Sequence, residues 1–197
     1  MIRLARFAQL LAGLTIYGLG IGMLVDAKIG IAPWDVFAQG ISVQTHISFG
    51  LSTVVVSALV MVAWIPLRQR PGVGTVLNAV LIGVFADIFM PLLPKFTTYP
   101  ENLAKFLVGM LIVAFATGMY ISSNFGAGPR DGLIVGTQRR LGWPFWLVRT
   151  LFEGTVLTIG WLMGGQVREG TVIFALCIGY LMQLSLRGFG MRGRIKP

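Results

Sequence analysis

A register shift of 96 residues lays this chain on itself without a gap, and the residues that coincide are mainly those with backbone or charge roles. Gly13, Gly22, Gly30, Pro33, Asp35, Gly40, Gly74, Thr75 and Gly83 fall on Gly109, Gly118, Gly126, Pro129, Asp131, Gly136, Gly170, Thr171 and Gly179. Chance coincidence in an apolar chain would mostly pair Leu with Leu or Val with Val. The chain is therefore read as a duplicated unit, with repeat A at about 5–93 and repeat B at about 101–189 in a single membrane domain over 1–197.

Of the 197 residues, 55% are hydrophobic and 12% are charged. Soluble domains carry about 25% charged residues, so this composition fits an integral membrane protein. Apolar runs at about 5–25, 48–67, 73–93, 103–123, 145–163 and 170–187 approach the roughly 20 residues that cross about 30 Å of hydrocarbon. The N-terminal run is too long for a signal peptide and no A-x-A-like cleavage site follows it. The expected fold is an all-α, polytopic transmembrane helix bundle.

The net charge of +9 is explained by topology rather than by a nucleic-acid partner. With the N-terminus in the cytoplasm and six crossings, Arg3, Arg6, Arg68, Arg70, Arg130, Arg139, Arg140, Arg187, Arg192, Arg194 and Lys196 fall inside. Lys28, Lys95, Lys105 and Arg168 fall outside, and Arg149 stays within a span. This is the positive-inside asymmetry, and it places both termini in the cytoplasm. The lipid bilayer is the expected partner, with the basic tail near anionic head groups.

Two segments, about 33–45 and 129–141, are short and polar. If they do not cross, each repeat has three spans, and the second enters the membrane inverted relative to the first. The chain then has six spanning helices plus two short non-spanning helices. Counting the short segments as crossings gives eight spans and parallel repeats, but it moves Arg68, Arg70, Arg139 and Arg140 outside, against the charge rule. Inverted repeats with Gly/Pro-interrupted short segments are the sequence pattern of secondary transporters.

The most specific local pattern is Gly30-Ile-Ala-Pro33-Trp34-Asp35 with Gly40, matched by Gly126-Ala-Gly-Pro129-Arg130-Asp131 with Gly136. Gly30 and Gly126 are expected to end the preceding helices. Pro33 and Pro129 then open new ones, where a missing N–H costs nothing. Asp35 and Asp131 fall in the first turn, where a carboxylate meets the positive helix end. Helix punctuation alone accounts for this pattern; a second reading has the two carboxylates bind a cation or proton, or orient backbone donors toward a substrate. Trp34 stands where the second repeat has Arg130. The small pair Gly18 and Gly22, with Ala114 and Gly118 at the equivalent places, reads as close helix packing.

The two G-x-x-P-x-D-x-x-x-x-G motifs, Arg70-Pro-Gly-Val-Gly-Thr75 and Gly164-Gly-Gln-Val-Arg-Glu-Gly-Thr171 resemble the bacterial YczE/YyaS/YitT group of integral membrane proteins. The Pro-Trp-Asp and Gly-Pro-Arg-Asp-Gly segments are similar to its YczE-like branch. The resemblance implies a multi-pass bacterial plasma-membrane protein and brings no substrate with it.

Ionisable groups within apolar runs are functional candidates. Glu153 lies near the middle of the 145–163 run, and Arg149 is four residues earlier on the same face. They are read either as a structural pair or as a substrate-responsive gate. Asp87 either snorkels to an interface or lines a cavity, and Asn78, two and a half turns earlier, faces nearly the opposite way. Cys177 reads as buried packing and His46 as an interfacial or capping residue. No spacing suggests a metal site or cofactor, and no clustered nucleophile and base suggests an enzyme. The expected function is a small secondary transporter or permease with its site at the repeat interface. A small-molecule or ion substrate is expected, and a homodimer is one arrangement open to it. The alternative is a non-transporting membrane factor that assists assembly, export or signalling of a partner protein.

Overall fold

Each of the six apolar runs and both Pro-led segments becomes a helix in the computed structural model, which describes residues 2–191. In chain order these are α1 (Ile2–Asp26), α2 (Pro33–Thr45), α3 (Phe49–Ala63), α4 (Val73–Phe89), α5 (Tyr99–Ser122), α6 (Pro129–Leu141), α7 (Phe145–Leu162) and α8 (Glu169–Gly188). A single 3₁₀ turn, Met90–Leu92, follows α4. The described residues contain no strand. Arg192, Arg194 and Lys196 of the expected cytoplasmic tail lie outside the described residues.

Four helices, α1, α4 with its 3₁₀ turn, α5 and α8, are long and apolar enough to cross a membrane on their own. A fifth span results if α2 and α3, bent by 116° at their junction, are taken as one broken span. The 48–67 run yields a shorter helix than its composition suggests. Only 15 residues, 49–63, are helical, or about 22 Å of rise. The chain then turns at Trp64–Arg68, where the Trp64 indole donates to the Pro129 carbonyl at 3.0 Å. α7 reaches 18 residues but carries Arg149 and Glu153, and it is not among the four.

α1 is the central helix, packed against α4 and α5, and α5 packs in turn on α8. Gly18 meets Phe85 and Ala86 of α4, while Gly118 meets Ser185 of α8 and Phe189 just beyond it. The small residues thus serve the close packing expected of them, since in lipid van der Waals fit drives helix association. Leu10, Leu14, Leu24 and Val113 are fully buried in this core. Gln9 donates to the Met119 carbonyl at 2.8 Å, whereas Gly20 lies against Gly109 and Val113. Rising numbers on α1 meet falling numbers on α5, so the two helices run antiparallel. At the end of α1, Asp26 accepts from the buried Lys105 at 2.6 Å and pairs with the exposed Lys95.

The linkers correct one expectation. Gly30 and Gly126 do not terminate α1 and α5. Those helices end at Asp26 and Ser122, and the left-handed residues beside their ends are Lys28 (φ 56°) and Asn124 (φ 63°). The glycines lie further along, at φ 118° and 125°, a region that only glycine enters cheaply. There the two halves of the chain bond to each other at positions related by the 96-residue shift. Gly74 N–H donates to the Phe125 carbonyl at 2.9 Å, and Gly170 N–H donates to the Ile29 carbonyl at 2.9 Å. Thr75 adds a hydroxyl bond to the Ala127 carbonyl at 2.7 Å.

Seams that occupy equivalent places in the two repeats differ. α3 lies antiparallel on α4, with Gly50 against the Gly83 backbone. α7 and α8 make no comparable seam. Ala79 and Gly83 are buried, while Ala175 and Gly179 are exposed. Cys177 is likewise exposed on α8 rather than buried, because no helix covers that face. His46 is the left-handed C-cap of α2, its N–H donating to Ser42 O at 2.9 Å.

Candidate functional site

Pro33 and Pro129 start α2 and α6 at Ala32 and Gly128, residues with extended backbone and no side-chain cap. Asp35 and Asp131 therefore stand in the first turns, as the motif requires. The two helix starts meet. Arg130 Nη2 donates to Asp35 Oδ1 at 2.7 Å, with the aspartate side chain 2% exposed and the arginine 25% exposed. The Arg130 guanidinium also lies 5.8 Å from the centre of the Trp34 ring. Trp34 and Arg130, which occupy equivalent positions of the two motif copies, thus lie against each other.

Around this junction is a cavity of about 230 Å³. Pro33, Trp34 and Asp35 line it from the start of α2, and Pro129, Arg130 and Asp131 line it from the start of α6. α7 contributes Arg149 and Glu153, paired Nε to Oε1 at 2.9 Å. α4 contributes Asn78. Seven of the eight polar and aromatic sequence candidates therefore share one cavity.

Asp87 lies apart. It accepts from the Gly50 N–H at 2.8 Å and from the Ser48 hydroxyl, so it caps the start of α3. The half-turn offset along α4 separates it from Asn78, which faces the cavity. It is not among the residues that line the cavity, and its carboxylate bridges α4 to the start of α3.

Further lining residues carry no conspicuous sequence signal. Tyr17 and Tyr120 meet edge to face, with ring centres 6.1 Å apart, in the cavity wall, and Phe174 lies in the same wall. Thr53 and Ser57 line it from α3. They occupy the positions equivalent to Arg149 and Glu153, so applying the 96-residue shift to the charged pair would have found them. Nothing marks the tyrosines, which resemble core aromatics.

The arrangement pairs charges unevenly. Asp35 is matched by Arg130 and Glu153 by Arg149. Asp131 is exposed and has no ion-pair or hydrogen-bond partner among the described residues. The second oxygen of Asp35 is buried without a hydrogen bond. Among the described residues, no three His, Cys, Asp or Glu side chains converge as metal ligands would.

A family model described as "Family of unknown function (DUF6198)" matches residues 4–187. An uncharacterised Haemophilus influenzae protein is 40% identical over 177 residues, covering 90% of this chain and 81% of the relative. An uncharacterised membrane protein of Bacillus subtilis, YczE, is 35% identical over 184 residues, covering 92% and 85%. A second uncharacterised Bacillus subtilis protein, YyaS, is 23% identical over 175 residues, covering 86% of each. No solved structure matches the chain. With a family model spanning nearly its whole length and apolar helices long enough to cross a bilayer, this chain belongs to the DUF6198 family and is a YczE-like membrane protein.

Proposed function

We propose that the protein is a small secondary transporter whose substrate site is the cavity between its two repeats. The observation that carries this reading is that equivalent pieces of both repeats, Pro33-Trp34-Asp35 and Pro129-Arg130-Asp131, face one another across that cavity. In membrane carriers, discontinuous helices whose starts meet at a repeat interface are where substrates bind. Several contacts support the inverted-repeat arrangement behind it. α1 runs antiparallel to α5, its equivalent, and the Gly74–Phe125 and Gly170–Ile29 bonds exchange partners under the 96-residue shift.

In this reading six helices cross a bacterial plasma membrane and both termini are cytoplasmic. α2 and α6, at 13 residues each, are the two short helices that do not cross. Intramembrane charges at such a site are costly unless paired, which accounts for the Asp35–Arg130 and Arg149–Glu153 pairs.

The test reconstitutes the full chain in proteoliposomes. Charge movement is recorded on a solid-supported membrane with tetramethylammonium, choline, glycine, acetate and lactate as probes. Solute-dependent current that falls in Asp35→Asn and in Asp131→Asn supports the carrier reading. Flux unchanged in both variants overturns a direct role for these residues, and no flux of any probe alongside stoichiometric co-purification of a partner protein would favour the assembly-factor alternative.

A further inference from the structure

The cavity is flanked by two helices that do not pack on each other, and its charges are not balanced. Its wall includes Arg149 and Glu153 of α7 together with Ala175 and Gly179 of α8, yet those two helices form no seam. A methyl group added at Gly154 or Gly179 would meet nothing within 4 Å. The equivalent seam in the first repeat is shut by the backbone contact of Gly50 with Gly83 and by the Asp87 cap. The sequence keeps the two sides different: Gly50 corresponds to Trp146, which is 66% exposed and too bulky for a glycine-to-glycine contact.

Two of the cavity's three carboxylates are neutralised by arginines, leaving Asp131 without a partner and Asp35 Oδ2 buried without a hydrogen bond. The start of α6 offsets only about half an elementary charge. Beside these groups stand Tyr17, Tyr120 and Phe174, aromatic rings of the kind whose faces attract cations. A volume of about 230 Å³ is below the roughly 300–1,000 Å³ of sites that enclose a drug-sized molecule.

From the open α7–α8 side and the unpaired carboxylate together, we infer that the ligand is an amphipathic monocation. Its small cationic head enters the cavity at Asp131 while its alkyl part stays between α7 and α8, continuous with the bilayer. The inference rests on reading this cavity as the carrier's substrate site, and it specifies the class of substrate.

Thermal unfolding of the full chain in phosphatidylcholine nanodiscs tests it with three probes: hexyltrimethylammonium, tetramethylammonium and hexyl sulfate. A ligand that binds only the folded state raises the unfolding midpoint in a saturable way. The expected order is a large shift with hexyltrimethylammonium, a smaller one with tetramethylammonium and none with hexyl sulfate. Asp131→Asn, which keeps the size of the side chain and removes its charge, is expected to weaken hexyltrimethylammonium binding about tenfold, the effect of about 1.4 kcal/mol. Gly179→Leu fills the gap and is expected to weaken hexyltrimethylammonium while leaving tetramethylammonium unchanged. A shift with hexyl sulfate equal to that with its cationic counterpart overturns the cationic assignment, as does unaltered binding in Asp131→Asn. Equal effects of Gly179→Leu on both ammonium probes overturn the lateral entrance. Saturable cation binding without flux would sink the carrier reading alone, and flux of acetate or lactate without cation binding would sink this inference alone.

Discussion

Arg130 of α6 holds Asp35 of α2 at 2.7 Å, joining the two Pro-led helices at their first turns. The aspartate is nearly sealed from solvent and only one of its oxygens is satisfied. Removing one member of such a pair leaves a buried charge alone, at about 3–5 kcal/mol. Arg130→Met is therefore expected to lower the denaturation midpoint sharply, and Arg130→Met with Asp35→Asn to recover much of the loss. A double variant no more stable than the worse single variant would show that the pair is not coupled.

Gly83 and Gly179 occupy equivalent positions in opposite surroundings. A methyl group at Gly83 runs into the Gly50 backbone, whereas at Gly179 it meets open space. Overpacking costs about 1–3 kcal/mol, so Gly83→Ala is expected to destabilise the protein by that amount. Gly179→Ala should fall within about 0.5 kcal/mol of the parent. Equal losses at both positions, measured by unfolding in one detergent, would contradict the open α7–α8 side.

Asp87 stabilises a helix start and does not face the cavity. Losing a cap costs about 1 kcal/mol, so Asp87→Ala should reduce thermal stability by a few degrees. Flux or ligand binding per folded molecule should stay at the parent level. Loss of binding with folding intact would place Asp87 in the site after all.

The inverted insertion proposed above would put residues 69 and 138 on the cytoplasmic side. Gln69→Cys and Gln138→Cys, made in a Cys177→Ser background, are expected to resist a membrane-impermeant maleimide added to intact cells and to react after permeabilisation. Labelling of either from the periplasm would invalidate the antiparallel insertion.

Much of the local structure was legible from residue type. The Pro-led helices begin and end at the residues expected, 33–45 and 129–141, because proline at a first turn and an acidic neighbour are local signals. The Arg149–Glu153 pair followed from helical spacing. Contacts set by tertiary geometry did not follow. The Arg130–Asp35 bond spans 95 positions, and no periodicity links an arginine to an aspartate at that distance. Asp87 was ambiguous for a related reason: its depth on α4 can be read from the sequence, but its bonds to Ser48 and Gly50 require knowing that α3 folds back antiparallel. The short α3 was missed because hydropathy runs on past Trp64, while the helix stops where that indole finds the Pro129 carbonyl.

The reciprocal bonds Gly74–Phe125 and Gly170–Ile29 bear on how the protein is made. During synthesis the stretch around Ile29 leaves the ribosome long before Gly170 exists to hold it. The N-terminal portion must therefore wait in the bilayer with an unclamped backbone. A nascent chain released early would present that stretch to membrane proteases, and two halves expressed as separate polypeptides should accumulate only when both are present.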